Sequence, residues 1–150
     1  MYKYEFSEFL PQVKELAITV QQDFEPAALL AVARGGLTLT HALSTCLDNR
    51  FVYSLNSCHY EDTQVLNDVQ IWNIPDLSQH KKVLVVDDIC DSGDSLIAIL
   101  AKLKRLFPNT EFKSAVVFWK EKSKMAPDFY IKRTSEWIEF FWDVRLDEGK

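Results

Sequence analysis

A chain of 150 residues, with 22 acidic against 17 basic side chains and a net charge of -5, is long enough for one core and too short for two ordinary domains. Its 47% hydrophobic and 26% charged fractions exclude disorder, collagen and disulfide-dense scaffolds, and the acidic balance argues against general nucleic-acid binding. The N-terminal MYKYEFSEFL has neither the basic flank nor the apolar centre of a signal peptide, and no apolar run is long enough to span a membrane, so a cytoplasmic chain without membrane insertion is expected.

In chain order, the first expected element is a helix capped by Ser7, with Phe9, Val13, Leu16, Ala17 and Val20 on one face and Pro11 tolerated in its first turns. Residues 27 to 33, AALLAVA, then Arg34-Gly35-Gly36 and an apolar stretch from Leu37 to Leu47, predict strand, tight turn and helix. FVYSLN at 51 to 56 is β-rich, and the polar stretch from Ser57 to Lys82 is expected to be a long connection holding a short strand near Val69 to Trp72. VLVVDDI at 83 to 89 is apolar on both faces until two aspartates end it, which suits a central parallel strand. A helix from Ser95 then places Leu96, Ile99, Leu100, Leu103, Leu106 and Phe107 on one face and stops at Pro108. A strand from Phe112 to Trp119 and two aromatic-rich runs, Phe129 to Ile131 and Trp137 to Trp142, complete the chain. The order is largely βαβα, so the expected fold is α/β with a mainly parallel twisted sheet flanked by helices. Cys46, Cys58 and Cys90 form no CxxC and are odd in number, so they are expected as reduced thiols, Cys90 as a small core residue.

Chemistry concentrates in V83-L84-V85-V86-D87-D88-I89-C90-D91-S92-G93-D94-S95, where a buried strand delivers acids and then a small-residue loop to a helix start. Backbone amides of the Asp91 to Ser95 turn, the hydroxyls of Ser92 and Ser95 and the positive end of the helix together offer a phosphate several donors, and Gly93 lets the backbone come close. Asp87 and Asp88 suit a sugar diol or a Mg²⁺ ion, so the segment points to a phosphorylated sugar. VLVVDD also opens receiver domains of response regulators, with Asp128 as a conceivable acceptor, but a receiver begins with this strand, whereas about eighty residues precede it here. An ordinary capped helix after a buried strand is the plainer alternative.

Residues 83 to 95 resemble the thirteen-residue signature of type I phosphoribosyltransferases, which bind 5-phosphoribosyl 1-pyrophosphate (PRPP). In length and motif order the whole chain is similar to the short bacterial xanthine-guanine phosphoribosyltransferases, including V32-A33-R34-G35-G36-L37 and W137-I138-E139-F140-F141-W142-D143. The resemblance implies a single domain with a small C-terminal hood, and transfer of phosphoribosyl from PRPP to a 6-oxopurine with Mg²⁺ and release of pyrophosphate. It further implies a homo-oligomer, dimer or tetramer. By the same resemblance, Asp87 and Asp88 engage the ribose hydroxyls, Asp88 holds the metal, and Asp91, Ser92, Gly93, Asp94 and Ser95 form the 5'-phosphate loop. Arg34 and Gly35 form the pyrophosphate loop, with a cis peptide between Ala33 and Arg34. Asp91 faces the purine N7, Lys120 reaches O6, and Trp137 lies over the base with the Ile138 backbone at its 2-position. Arg34 and Asp91 are the expected catalytic residues. An ammonium at Lys120 has donors only, so it pairs with O6 and meets the 6-amino group of adenine donor to donor.

The chain departs from the family pattern in two places. Position 94 is aspartate where relatives commonly carry a small residue, so its carboxylate must turn away from the phosphate or weaken binding. The Ser-Tyr pair of the mobile loop is replaced by His59-Tyr60, and the basic residue expected near Gln64 and Val65 is missing. Trp137 divides evenly between a base platform and a core aromatic, Trp142 is assigned to packing, and His41 and His80 to surface or satisfied polar positions. A phosphoribosyltransferase for another base, or a non-catalytic PRPP- or nucleotide-binding regulator, remains open at this stage.

Overall fold

The computed structural model describes residues 1–59 and 68–147. Its elements run β1 (Tyr2–Tyr4), α1 (Phe6–Asp23), β2 (Ala28–Ala33), α2 (Leu37–Cys46), β3 (Val52–His59), β4 (Val69–Trp72), β5 (Lys82–Val86), β6 (Ile89–Cys90), α3 (Asp94–Leu106), β7 (Glu111–Lys120), β8 (Phe129–Thr134) and β9 (Ile138–Phe140). The main sheet has the order β4-β3-β2-β5-β7-β6, with β8 on the far side of β7, and among the described strands only the β3–β4 edge pair is antiparallel.

Strand periodicity explains why β2 and β5 read as continuous apolar runs. Leu29, Leu84 and Val86 point into one core with Phe9, Val13, Val20, Leu39 and Leu43 from α1 and α2. Their sequence neighbours Leu30, Val32, Val83 and Val85 point into a second core with Leu96, Ile99 and Leu103 of α3. A sheet buried on both faces needs apolar side chains at every position, which is the pattern seen.

Several boundaries differ from the expected ones, each for a local reason. Helix α1 begins at Phe6, with Glu5 in an extended conformation at its cap and no side-chain cap; Ser7 lies inside the first turn. The apolar face of α1 is buried as expected. The run 83 to 89 is not one strand. After Val86, the Asp87 carboxylate accepts the Asp88 amide (2.8 Å) and the Asp88 carboxylate accepts the Ile89 amide (2.7 Å). The Asp88 carbonyl then accepts both Val117 and Phe118 amides, a bulge that resets the strand as β6. Helix α3 starts one residue early, at Asp94, because Gly93 takes φ +90° at its cap; it ends at Leu106, which is exposed, and Phe107 lies beyond it. Strand β3 runs to His59, three residues past the expected end, and β4 matches the short strand expected at 69 to 72. Phe51 precedes β3.

The hood is not C-terminal alone, as expected, but is made by both chain ends, because the short β9 takes its pairing partner from the N-terminus. Strand β1 pairs in parallel with β9, Tyr2 opposite Ile138 and Tyr4 opposite Phe140. Tyr4 packs edge-on against Phe9, Phe118, Phe140 and Trp142. Among the described residues no helix is long and apolar enough to cross a membrane. Asp128 accepts the Ser114 amide at 2.8 Å and so ties the start of β8 to β7, a structural role unlike that of a phosphate acceptor.

Candidate active site

Because β2, β3, β5 and β7 are parallel, their C-terminal ends share one edge of the sheet, the place where open α/β folds bind ligands. Arg34 follows β2, His59 ends β3, Asp87 and Asp88 follow β5, and Lys120 ends β7.

A cleft of about 300 Å³ at this edge is lined by Arg34, Gly35, Ser57, His59, Asp87, Asp88 and Ser95, among others. The Ala33–Arg34 peptide is cis. Glycine is required at two adjacent positions here. A Cβ on Gly35 would collide with the Asp88 carboxylate, and one on Gly36 would collide with the Val86 carbonyl and crowd the Val32 carbonyl and Asp87 Cα. The turn after β2 therefore lies directly on the acid pair after β5. Burial raises the Asp87 carboxyl well above its ordinary range, with the Asp88 charge adding to the effect, and burial raises Asp88 as well. Two desolvated carboxylates side by side ask for a cation or a hydroxyl donor.

The loop from Asp91 to Ser95 enters α3 through Gly93, so the first amides of the helix face the same edge. The Ser92 hydroxyl accepts the Asp94 amide at 3.2 Å. The Asp94 carboxylate is paired: its Oδ1 lies 2.7 Å from Lys124 Nζ, and that ammonium, with a lesser contribution from the Ser92 side chain, holds its carboxyl below the usual carboxylate range. The aspartate that departs from the family pattern thus has its counter-charge in a lysine thirty residues later in the chain.

On the other side of the loop, Lys120 is 8% exposed, its Nζ 3.4 Å from Asp91 Oδ1 and 6.0 Å from the centre of the Trp137 ring. Lys122 Nζ lies 3.2 Å from the same Asp91 oxygen. That oxygen is buried and, among the described residues, receives no directed hydrogen bond despite the two ammonium groups. Trp137 is 71% exposed and so is not a core aromatic, while Ile138 beside it is buried in the β1–β9 pair. Lys120 thus stands within reach of both Asp91 and Trp137, beside the Asp91–Ser95 loop. Cys90 is buried, with its thiol raised by burial, and His80 is satisfied by the Tyr53 hydroxyl at 2.7 Å.

A profile of the phosphoribosyl transferase domain matches residues 5–149. The chain belongs to the phosphoribosyltransferase family. Among solved structures, this phosphoribosyltransferase is similar to the Helicobacter pylori xanthine-guanine-hypoxanthine phosphoribosyltransferase, with 42% identity and a TM-score of 0.89 over 95% of this chain and 94% of that one. It is also similar to a purine phosphoribosyltransferase from Pyrococcus horikoshii, with 27% identity and a TM-score of 0.83 over 99% of this chain and 97% of that one. A xanthine-guanine phosphoribosyltransferase from Cereibacter sphaeroides is 30% identical over 123 residues, 79% of this chain and 70% of its own length. The α/β fold with its hood is that of this family.

Sequence reasoning missed part of the site. Trp142, Asp143, Val144 and Arg145 line a second cleft of about 490 Å³ together with Arg34, Gly35 and Asp88. Trp142 does pack, its ring stacked on Phe140 at 4.6 Å, but its segment also walls the acid pair. The signal was the final aspartate of the motif ending at Asp143, whose charge raises Asp88. Lys122 and Lys124 gave no such signal, since KEKSK reads as a solvated turn. Of the replaced mobile-loop residues, His59 lines the cleft. Tyr60, Gln64 and Val65 lie outside the described residues.

Proposed function

We propose that this phosphoribosyltransferase salvages 6-oxopurines, transferring phosphoribosyl from PRPP to guanine, xanthine or hypoxanthine. The observation that carries this reading is the buried Lys120 ammonium between Asp91 and the open face of Trp137. A base stacked on Trp137 with O6 toward Lys120 would present N7 to Asp91. That matches the names of the relatives, which act on xanthine, guanine and hypoxanthine.

In the reaction, purine N9 forms a bond to the anomeric carbon as the bond to pyrophosphate oxygen breaks, through an oxocarbenium-like transition state. Asp91 takes or shares the N7 proton, strengthening N9 as nucleophile by about 10² to 10⁴-fold if it behaves as other positioned bases do. Arg34, exposed after β2 and lining the cleft, would meet the charge that accumulates on pyrophosphate. Asp87 and Asp88 fix the ribose hydroxyls and the Asp91–Ser95 loop holds the 5'-phosphate, which keeps the anomeric carbon in line with N9. Asp88, with Asp87, would hold Mg²⁺. Their hard oxygen donors and desolvated charges fit such an ion. When bound, the ion would neutralise leaving-group charge.

The same reading takes the enzyme to be a cytoplasmic homo-oligomer, with exposed Phe51, Val52 and Trp72 at the β3–β4 edge offering apolar surface to a second copy. The test of the activity is formation of nucleoside monophosphate and pyrophosphate from PRPP and Mg²⁺ with guanine, xanthine, hypoxanthine, adenine and orotate. Product with the 6-oxopurines is expected. Product with adenine or orotate alone would overturn the reading.

A further inference from the structure

A carboxylate at the first position of α3, next to a loop built for a dianion, opposes the charge the loop must bind, unless something compensates it. Lys124 does so from the turn after β7. Its Nζ lies 2.7 Å from Asp94 Oδ1, and the Asp94 side chain is 12% exposed in that contact. Its backbone amide donates to the Ser92 carbonyl at 2.8 Å, so one residue grips the loop by main chain and by side chain. Gly93, at φ +90° between the two gripped residues, sits so close beneath the turn that a Cβ there would come within 3.2 Å of the Lys124 nitrogen. The turn is itself anchored to the strand below: Trp119 Nε1 donates to Ser123 Oγ at 3.1 Å and the Cys90 thiol donates to the same oxygen at 3.6 Å.

We propose that Lys124 is a positioning residue for phosphoribosyl transfer: it compensates the Asp94 carboxylate beside the loop, so that the 5'-phosphate of PRPP does not meet an unpaired negative charge there. The proposal rests on the phosphoribosyltransferase reading. Lys124 acts through Asp94 and has no contact with the reacting atoms. The same contact couples the turn that follows Lys120, on the base side, to the loop on the phosphate side.

The test is a set of steady-state measurements with Mg²⁺, PRPP varied at saturating guanine and guanine varied at saturating PRPP, on the unmodified protein, Lys124→Ala, Lys124→Arg and the double variant Lys124→Ala with Asp94→Ser. Lys124→Ala is expected to raise KM for PRPP about tenfold, from an uncompensated charge close to the phosphate, with kcat and KM for guanine changed by less than about twofold. Lys124→Arg is expected to recover most of the loss. The double variant is expected to recover most of it as well, because the repelling carboxylate is gone with its partner. Equilibrium binding of guanosine 5'-monophosphate, whose phosphate occupies the same loop, should follow the same order without turnover. An unchanged KM for PRPP in Lys124→Ala, or a double variant as weak as Lys124→Ala, would overturn the proposal while leaving the enzyme reading intact. An unmodified protein that transfers phosphoribosyl to no base would overturn both.

Discussion

The two halves of the proposed site are built by different means. The half proposed for ribose and phosphate, residues 34 to 36 and 87 to 95, comes from two neighbouring parallel strands and the turns that leave them, so its geometry is set by backbone: two glycines against an acid pair, and a helix start. The base side comes from side chains brought together over long distances, Lys120 at the end of one strand and Trp137 on a hood that joins the two ends of the chain. The first should be intolerant of any added atom. The second should tolerate substitution structurally and lose chemistry one group at a time.

Gly36→Ala strikes the backbone side hardest. Its new Cβ meets three main-chain positions, Val86 O, Val32 O and Asp87 Cα, none of which can swing away as a side chain would. A stability loss of about 3 kcal/mol and near-complete loss of turnover are expected, read by denaturant unfolding and by pyrophosphate release. A variant as stable as the parent would show that the turn is not seated on the acid pair as described.

Asp91→Asn sits at the meeting of the two sides. The loop's backbone donors survive, so PRPP should still bind, while kcat falls by about 10²-fold through loss of the N7 proton acceptor. Unchanged kcat would remove Asp91 from the chemistry and leave it a counter-charge for Lys120 and Lys122.

Trp137→Ala probes the base side alone. With 71% of the residue exposed, the melting temperature should hardly move, whereas KM for guanine should rise about tenfold from lost stacking. A large fall in melting temperature with unchanged KM would return Trp137 to the core.

Smallest of all, Ser7→Ala should change stability by less than about 0.5 kcal/mol, since Ser7 lies within the first turn of α1 and caps nothing. A loss of about 1 kcal/mol in chemical denaturation would restore the cap that its sequence position suggests.

The same contrast decides what could be read from the sequence. Periodicity identified the buried face of α1, the doubly covered strands β2 and β5, and α3, because each pattern lies within one short window. The turn from Asp91 to Ser95 into a helix was legible for the same reason. Tyr2 and Tyr4 carried no such signal, since β1 has meaning only beside β9, at the other end of the chain. The break after Val86 depends on carboxylates folding back onto the following amides and on two β7 amides sharing one carbonyl, neither visible in a run that is apolar on both sides. Lys124 looked like any surface lysine until the fold brought it to Asp94.

The central claim is that a buried donor at the end of β7 reads the oxygen at purine position 6. The most direct measurement is kcat/KM for guanine, xanthine, hypoxanthine and adenine in the unmodified protein and in Lys120→Ala. The unmodified enzyme should favour the 6-oxopurines over adenine by about 10² to 10⁴-fold, and Lys120→Ala should lower the values for 6-oxopurines far more than the value for adenine. A preference for adenine in the unmodified protein, or equal losses for all four bases in the variant, would contradict it.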